Sequence, residues 1–219
     1  MLRYIFASII CIAVFMVMGV VLSPKLGYQV PSIIELDKAI SSFIYDTRSD
    51  HIDDFMVLLS TYGREIVWSA VIVFMGIFAG WKGKKIAVIM VISFLIIIPL
   101  NTLFKNFFER LRPVVERQEI HVPQKTDFSY PSGHASIVSG GALILMVLFR
   151  KEKELIFSAI LAGEAALVCL SRIYVGDHYF FDVIGGILLG TGISLMAISL
   201  SKYLDPVITG VRKYLEKAP

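Results

Sequence analysis

The chain has 219 residues, 56% hydrophobic and 18% charged, with a mean hydropathy of +0.74 and a formal net charge of +3. Soluble domains carry about 25% charged residues, so the composition excludes an ordinary water-soluble globule and indicates a bilayer protein. The small net charge gives no reason to expect nucleic acid as a partner, and Cys11 and Cys169 both lie in apolar runs, so neither suggests a disulfide framework.

Six runs predict membrane helices. The first, Ile5 to Leu22, has 18 residues and no charge. It is long for the apolar part of a signal peptide, and Pro24 stands where cleavage would be expected, so it reads as an uncleaved helix. Residues 31 to 46, "PSIIELDKAISSFIYD", place apolar side chains at helical spacing and predict a surface helix able to lie over a site. The second span, Phe55 to Ala79, is interrupted by Arg64 and Glu65, expected to pair with each other or across helices near the boundary. The third, Ile86 to Phe104, is uncharged over 19 residues. Pro131 to Phe149, Leu155 to Leu170 and Tyr179 to Leu200 follow. The fifth run has only 16 residues and must borrow Ser171 or Glu154, because a crossing takes roughly 17 to 25 residues. The expectation is an all-α polytopic protein, one integral membrane domain over residues 1–219 with six transmembrane helices. Residues 201–219 form a tail, either amphipathic on the inner leaflet or a solvated end.

With six spans the N-terminus, "GWKGKK", "RKEKE" and the tail share one side, which holds eleven Lys and Arg against nine on the other. That difference is small, but two tight turns on the first side are strongly basic with no other evident use. Both termini are therefore placed in the cytoplasm. A metal site is not expected, because the cations nearby would repel a divalent ion, and no Gly-rich nucleotide loop occurs.

The opposite side carries three polar clusters. The first is "KNFFERLRP": Lys105 and Arg112 are seven positions apart, close to two helical turns. Both would point the same way if the helix continued, and Pro113 would turn the chain at Arg112. Ligand binding and simple pairing with the helix dipole or lipid headgroups fit these two cations equally. The second is "FSYPSGHAS". Ser132 and Gly133 open the fourth span, where free N–H groups form an anion site and Ser132 can cap the helix. A capped turn does not account for His134, which is costly at a bilayer edge without a partner. The third is "SRIYVGDHYFFD". Arg172 ends the fifth span, and Asp182, four residues after His178, can accept a hydrogen bond from one ring nitrogen and leave the other free as base or nucleophile. His51 and His121 lie in polar stretches and read as solvated.

Lys105-x6-Arg112-Pro113, then Pro131-Ser132-Gly133-His134, then Ser171-Arg172-x5-His178-x3-Asp182 resembles the three-part signature of the phosphatidic acid phosphatase type 2 superfamily, in order and spacing. The signature occupies residues 105 to 182, and the six-helix layout extends the resemblance over nearly the whole chain. The resemblance implies a membrane lipid phosphatase with catalytic His178, His134 and Asp182. It also implies phosphate binding by Lys105, Arg112, Arg172, Ser132 and Gly133, with no cofactor. His178 would attack phosphorus to give a phosphohistidine, Asp182 would orient its ring, and His134 would protonate the leaving oxygen. Polyprenyl diphosphate is favoured as substrate, with phosphatidylglycerophosphate, phosphatidate and phosphotransfer as alternatives. A non-enzymatic permease or scaffold that binds a lipid head is the competitor from another class. The partners implied are the lipid substrate and the bilayer, with no obligatory protein partner.

Three other features carry expectations. Arg110 reads as facing headgroups rather than a second phosphate. Glu164 reads as a buried structural group, paired with a residue such as Asn101 or protonated. Gly185, Gly186 and Gly190 read as close helix packing inside the monomer.

Overall fold

The computed structural model describes residues 1–114 and 126–215. Arg117, His121, Lys125 and Lys217 lie outside them. Among the described residues nine α-helices follow one another: α1 (Leu2–Leu22), α2 (Pro31–Asp46), α3 (Asp50–Tyr62), α4 (Trp68–Ile77), α5 (Gly80–Phe108), α6 (Gly133–Leu148), α7 (Glu152–Tyr174), α8 (Phe180–Leu200) and α9 (Asp205–Leu215). A π-helical turn, Gly63–Val67, joins α3 to α4, and a 3₁₀ turn, Ser201–Leu204, joins α8 to α9. The protein is an all-α, multi-pass membrane protein. Among the described residues five helical stretches are long and apolar enough to cross, α3 to α4 counting as one and α8 to α9 as another. The apolar helix α6, with 16 residues, supplies the remaining crossing.

The helices extend past the apolar runs because polar residues finish their ends. Asp50 and Asp53 stand in the first turn of α3, where carboxylates complement the positive helix end. Glu154 accepts a hydrogen bond from the Lys151 amide at 2.9 Å and starts α7 early, and α7 runs on to Tyr174. The short fifth run thus becomes a helix of 23 residues. Pro at the first position opens α2, which covers the span predicted for the surface helix.

Helix α8 packs between α1 and α6, its most extensive contacts. A Cβ on Gly190 would run into the Ser136 carbonyl, and one on Gly186 would stand 2.5 Å from the Ser132 carbonyl oxygen. The small-residue spacing therefore serves close backbone approach inside the monomer. Trp68, Met75, Met90, Ile144 and Val168 form the main buried core. A second, aromatic cluster ties α1 to the loop before α6. The rings of Phe15 and Tyr130 stack at 5.5 Å, Phe108 meets Tyr130 edge-on at 5.3 Å, and the Tyr130 hydroxyl donates to the Phe15 carbonyl at 2.7 Å. The Tyr130–Pro131 peptide is cis. Large side chains such as Phe6, Phe74, Leu95 and Ile160 stay exposed on the outer wall, as a hydrocarbon solvent requires.

At one end of the bundle, Lys82 pairs with Glu154 at 2.6 Å and Lys85 pairs with Asp205. The other end gathers α2 and the termini of α5, α6, α7 and α8. Glu164 has a polar partner, but it is Trp68 rather than Asn101: it accepts the Trp68 indole N–H at 3.0 Å, while the Asn101 amide donates to the Ile97 carbonyl at 3.0 Å. Asn101 faces α6, where its Oδ1 meets Ser136 Oγ at 3.3 Å.

Candidate active site

Helix α5 does not continue to Arg112. It ends at Phe108, and Glu109 takes a left-handed conformation (φ 50°) with its N–H on the Lys105 carbonyl at 2.9 Å. The two cations of the first cluster therefore do not meet as neighbours on one helix face. A carboxylate 15 residues beyond Arg112 brings them together. Asp127 accepts from Arg112 Nη2 at 2.7 Å through Oδ1, and its Oδ2 pairs with the Lys105 ammonium. Burial alone would raise the Asp127 carboxyl, but the hydrogen bond from Lys105 and the two cationic charges hold it down at about 2. Arg112 also donates from Nη1 to the Asp177 carbonyl at 2.6 Å.

The same Nη1 lies 3.1 Å from Nε2 of His178. A guanidinium can only donate, so Nε2 accepts and the ring proton resides on Nδ1. That nitrogen is 3.6 Å from Asp182 Oδ2, a close approach but longer than a hydrogen bond. The expected helical i,i+4 geometry is not the cause, because His178 stands in the turn before α8 and Asp182 is the third residue of the helix. Asp182 is already engaged elsewhere: Oδ2 accepts the Tyr179 amide at 2.8 Å, and Oδ1 accepts Arg110 Nη1 at 2.6 Å. Burial, and then the charges of Arg112, Arg172 and Lys105, hold the His178 imidazole well below its ordinary pKa.

Arg172, 1% exposed at the end of α7, donates from Nη1 to the Ser60 carbonyl at 2.6 Å and pairs with Asp177 through Nη2. Its Nε–H has no hydrogen-bond partner among the described residues, and the same holds for the buried Ser132 hydroxyl. Ser132 starts α6 as expected but does not cap it with its side chain. Its amide instead donates to the Asp182 carbonyl at 2.9 Å, which joins the second cluster to the third. A Cβ on Gly133 would stand 3.7 Å from Arg64 Nη1 and 3.9 Å from Asn101 Oδ1, ordinary contacts, so protein packing does not demand glycine there. His134, buried at the start of α6, lies 3.9 Å from Glu65 Oε2. Arg64 and Glu65 pair with each other, as expected, and the π-turn aims both at this corner.

Arg110 is the clearest correction. It is buried rather than turned toward headgroups, bound to Asp182 and Asp37 and lying over the Tyr179 ring at 4.4 Å. Asp37, Asp127 and Asp177 were not singled out in the sequence. Asp127 stands four residues before Pro131 in a polar loop, and no spacing rule links it to Lys105. A cavity of about 220 Å³ opens beside His178, lined by Lys38, Ser41, Tyr45, Pro113 and Tyr179, so α2 forms part of its wall. An apolar groove of about 490 Å³ runs between α6, α7 and α8 and shares Ile173 with that cavity. Among the described residues no group of three or more His, Cys, Asp or Glu is placed to hold a metal ion.

A polytopic helical bundle thus gathers Lys105, Arg112, Arg172 and the His178 imidazole at one end. The chain belongs to the PAP2 superfamily, which it matches over residues 82–205. It is 43% identical over 151 residues to an undecaprenyl-diphosphatase of Sulfolobus acidocaldarius, covering 68% of this chain and 70% of that protein. It is 31% identical over 122 residues to phosphatidylglycerophosphatase B of Bacillus subtilis, covering 52% of this chain and 55% of the relative. Its fold is similar to the solved structure of a transmembrane PAP2-type phosphatidylglycerolphosphate phosphatase from Bacillus subtilis. The TM-score is 0.71 at 22% identity, over 91% of this chain and 98% of that one.

Proposed function

We propose that the protein is an integral membrane phosphatase that removes the terminal phosphate of a lipid phosphate or diphosphate, with polyprenyl diphosphate the favoured substrate. The observation that carries the reading is the 3.1 Å approach of Arg112 Nη1 to His178 Nε2. It puts an unprotonated ring nitrogen beside a cation that can hold a phosphoryl oxygen. The similarity to an undecaprenyl-diphosphatase supports the substrate class, and the apolar groove beside the cavity offers room for a hydrocarbon chain.

In the mechanism, Nε2 of His178 attacks phosphorus as the bond to the leaving oxygen breaks, and His134 gives that oxygen its proton. Water then attacks the phosphohistidine and yields its proton to His134. The P–N bond breaks, releasing inorganic phosphate and a neutral His178. Lys105, Arg112 and Arg172 stabilise the charge spread over the phosphoryl oxygens, work that is largely positioning and electrostatics in this chemistry. The Arg172 Nε–H, the Ser132 hydroxyl and the open backbone at Gly133 are groups available to the same oxygens. Asp182 faces the Nδ1 side of the ring and favours its positive charge as the phosphohistidine forms. The termini are assigned to the cytoplasm and the site to the outer face, on the basic turns around Lys82 and Lys151.

The test is phosphate release by the purified protein in detergent with chelator present. The substrates are a polyprenyl diphosphate, phosphatidylglycerophosphate, phosphatidate and a soluble phosphate ester, with His178→Ala alongside. Release from the diphosphate that survives chelation and vanishes in the variant is expected. A folded protein that releases phosphate from none of them would rule the reading out. Preference for phosphatidylglycerophosphate would reassign the substrate. A lipid-head binder would keep its affinity within a few-fold in His178→Gln and show no turnover in either form.

A further inference from the structure

Two buried carboxylates meet one buried cation behind the His178 turn. Arg110 Nη1 donates to Asp182 Oδ1 at 2.6 Å, and Nη2 pairs with Asp37 on α2. Asp37 and Asp182 are both fully buried, and the Arg110 side chain is 7% exposed. The same region of α2 holds the start of α8. Asp37 Oδ1 accepts the Phe181 amide at 2.8 Å, and Ser41 Oγ accepts the Phe180 amide at 2.9 Å. Helix α2 thus caps the helix that carries Asp182. Arg110 is itself fixed through its backbone, whose carbonyl accepts the Ser129 amide at 2.7 Å.

The charges explain why this matters. Without Arg110, two carboxylates would be buried together with no cation between them, and such pairs shed charge by taking up a proton. Burial already pushes the Asp37 carboxyl up, against the opposing pull of Arg110. A rotated Asp182 would no longer present Oδ2 to His178 Nδ1. Arg110 binds Oδ1, and the Tyr179 amide binds Oδ2, so the carboxylate has one orientation.

We propose that Arg110 is a positioning residue for the phosphatase reaction, which clamps the Asp182 carboxylate aimed at His178, and that Asp37 of α2 completes the clamp. Helix α2 is on this account a working part of the active site as well as its wall. The inference rests on the lipid-phosphatase reading, and the experiment separates the two.

Arg110→Gln, Arg110→Lys, Asp37→Asn and the double variant Arg110→Gln/Asp37→Asn would be compared with the unaltered protein on a polyprenyl diphosphate in detergent. Arg110→Gln should lower kcat roughly 10- to 100-fold, the range for residues that orient a functional group from behind, with KM within about 3-fold. Arg110→Lys should fall between, since an ammonium cannot bind two carboxylates as a planar fork does. The double variant should lose less than the product of the single losses, because removing one carboxylate relieves the other. Guanidinium ion, but not sodium chloride of equal ionic strength, should restore part of the activity of Arg110→Ala.

Histidine-labelled NMR reads the clamp without turnover: Arg112 sets the Nδ1–H tautomer in both proteins, so the readout is the Nδ1–H resonance, which faces the Asp182 carboxylate and should move in Arg110→Gln. If that resonance moves but the unaltered protein has no phosphatase activity, the lipid-phosphatase reading fails and the clamp stands. If the unaltered protein is active and a folded Arg110→Gln keeps both kcat and the resonance, the clamp is wrong. Should Arg110→Gln fail to fold, Asp37→Asn decides by the same two readouts with the cation still in place.

Discussion

Arg112 and His178, 66 residues apart in the chain, meet at 3.1 Å between a guanidinium nitrogen and Nε2 of the ring. The contact requires Nε2 to be an acceptor, so His178 is neutral with its proton on the side of Asp182. Burial and the cations that the proposal assigns to phosphate thus also keep the imidazole unprotonated.

This neutrality has a signature in stability. The unfolded chain has a histidine of pKa about 6.5, and the folded value lies well below it through burial and the neighbouring cations. Above pH 6.5 the ring is neutral in both states and contributes nothing. As the pH falls through that value the unfolded state takes up a proton that the folded state refuses, and folding weakens by up to about 1.4 kcal/mol per pH unit. Thermal midpoints in detergent between pH 7.5 and 5 should fall more steeply for the unaltered protein than for His178→Gln. Parallel curves would show that His178 is protonated in the fold.

Asp127 occupies the two cations assigned to the phosphoryl group. A phosphate arriving there must displace this carboxylate or share its partners. Asp127→Asn removes the competing charge, and for a half-exposed pair worth about 1 kcal/mol the inhibition constant of orthovanadate should drop roughly 5-fold. An unchanged constant would mean that Asp127 does not compete with the oxyanion.

Glycines at the α6–α8 contact should separate sharply from those on the outer wall. Gly190→Ala drives a methyl group into the Ser136 carbonyl and should cost about 1–3 kcal/mol. Gly163→Ala meets nothing within 4 Å on α7 and should be neutral or slightly stabilising. Thermal unfolding in one detergent compares them; equal effects would contradict the packing described for α8.

The assignment of sides is testable with single cysteines. Val114, 94% exposed beside the site, and Lys153, exposed in the first turn of α7, lie at opposite ends of the bundle. In a Cys11→Ser/Cys169→Ser background, Val114→Cys should react with a membrane-impermeant maleimide in intact cells. Lys153→Cys should react only after permeabilisation. The reverse pattern would put the site in the cytoplasm.

Much of the fold was legible because solvent partition is local. An uncharged run such as Ile86 to Phe104 announces a crossing without reference to any other segment, and α2 showed in the helical spacing of residues 31 to 46. Even the short fifth run was recoverable, since its shortfall lay in Glu152, Glu154 and Arg172 at the helix ends. The role of Arg110 was not legible. Beside Arg112 and before a proline it looks like any cation at a membrane surface, and its partners lie 72 and 73 residues away.

The amino-acid sequence by itself determined the class of protein, the helices and the gathering of Lys105, Arg112, His134, Arg172 and His178 at one end. Those follow from hydrocarbon length and the parity of crossings. Only the tertiary structure decided which charge answers which. Asp127 joins Lys105 to Arg112 because the left-handed turn at Glu109 ends α5. Asp182 belongs to Arg110 as much as to His178 because α2 folds over the start of α8. Ion pairing depends on distance in space and on exclusion of water, and neither is set until the helix ends abut.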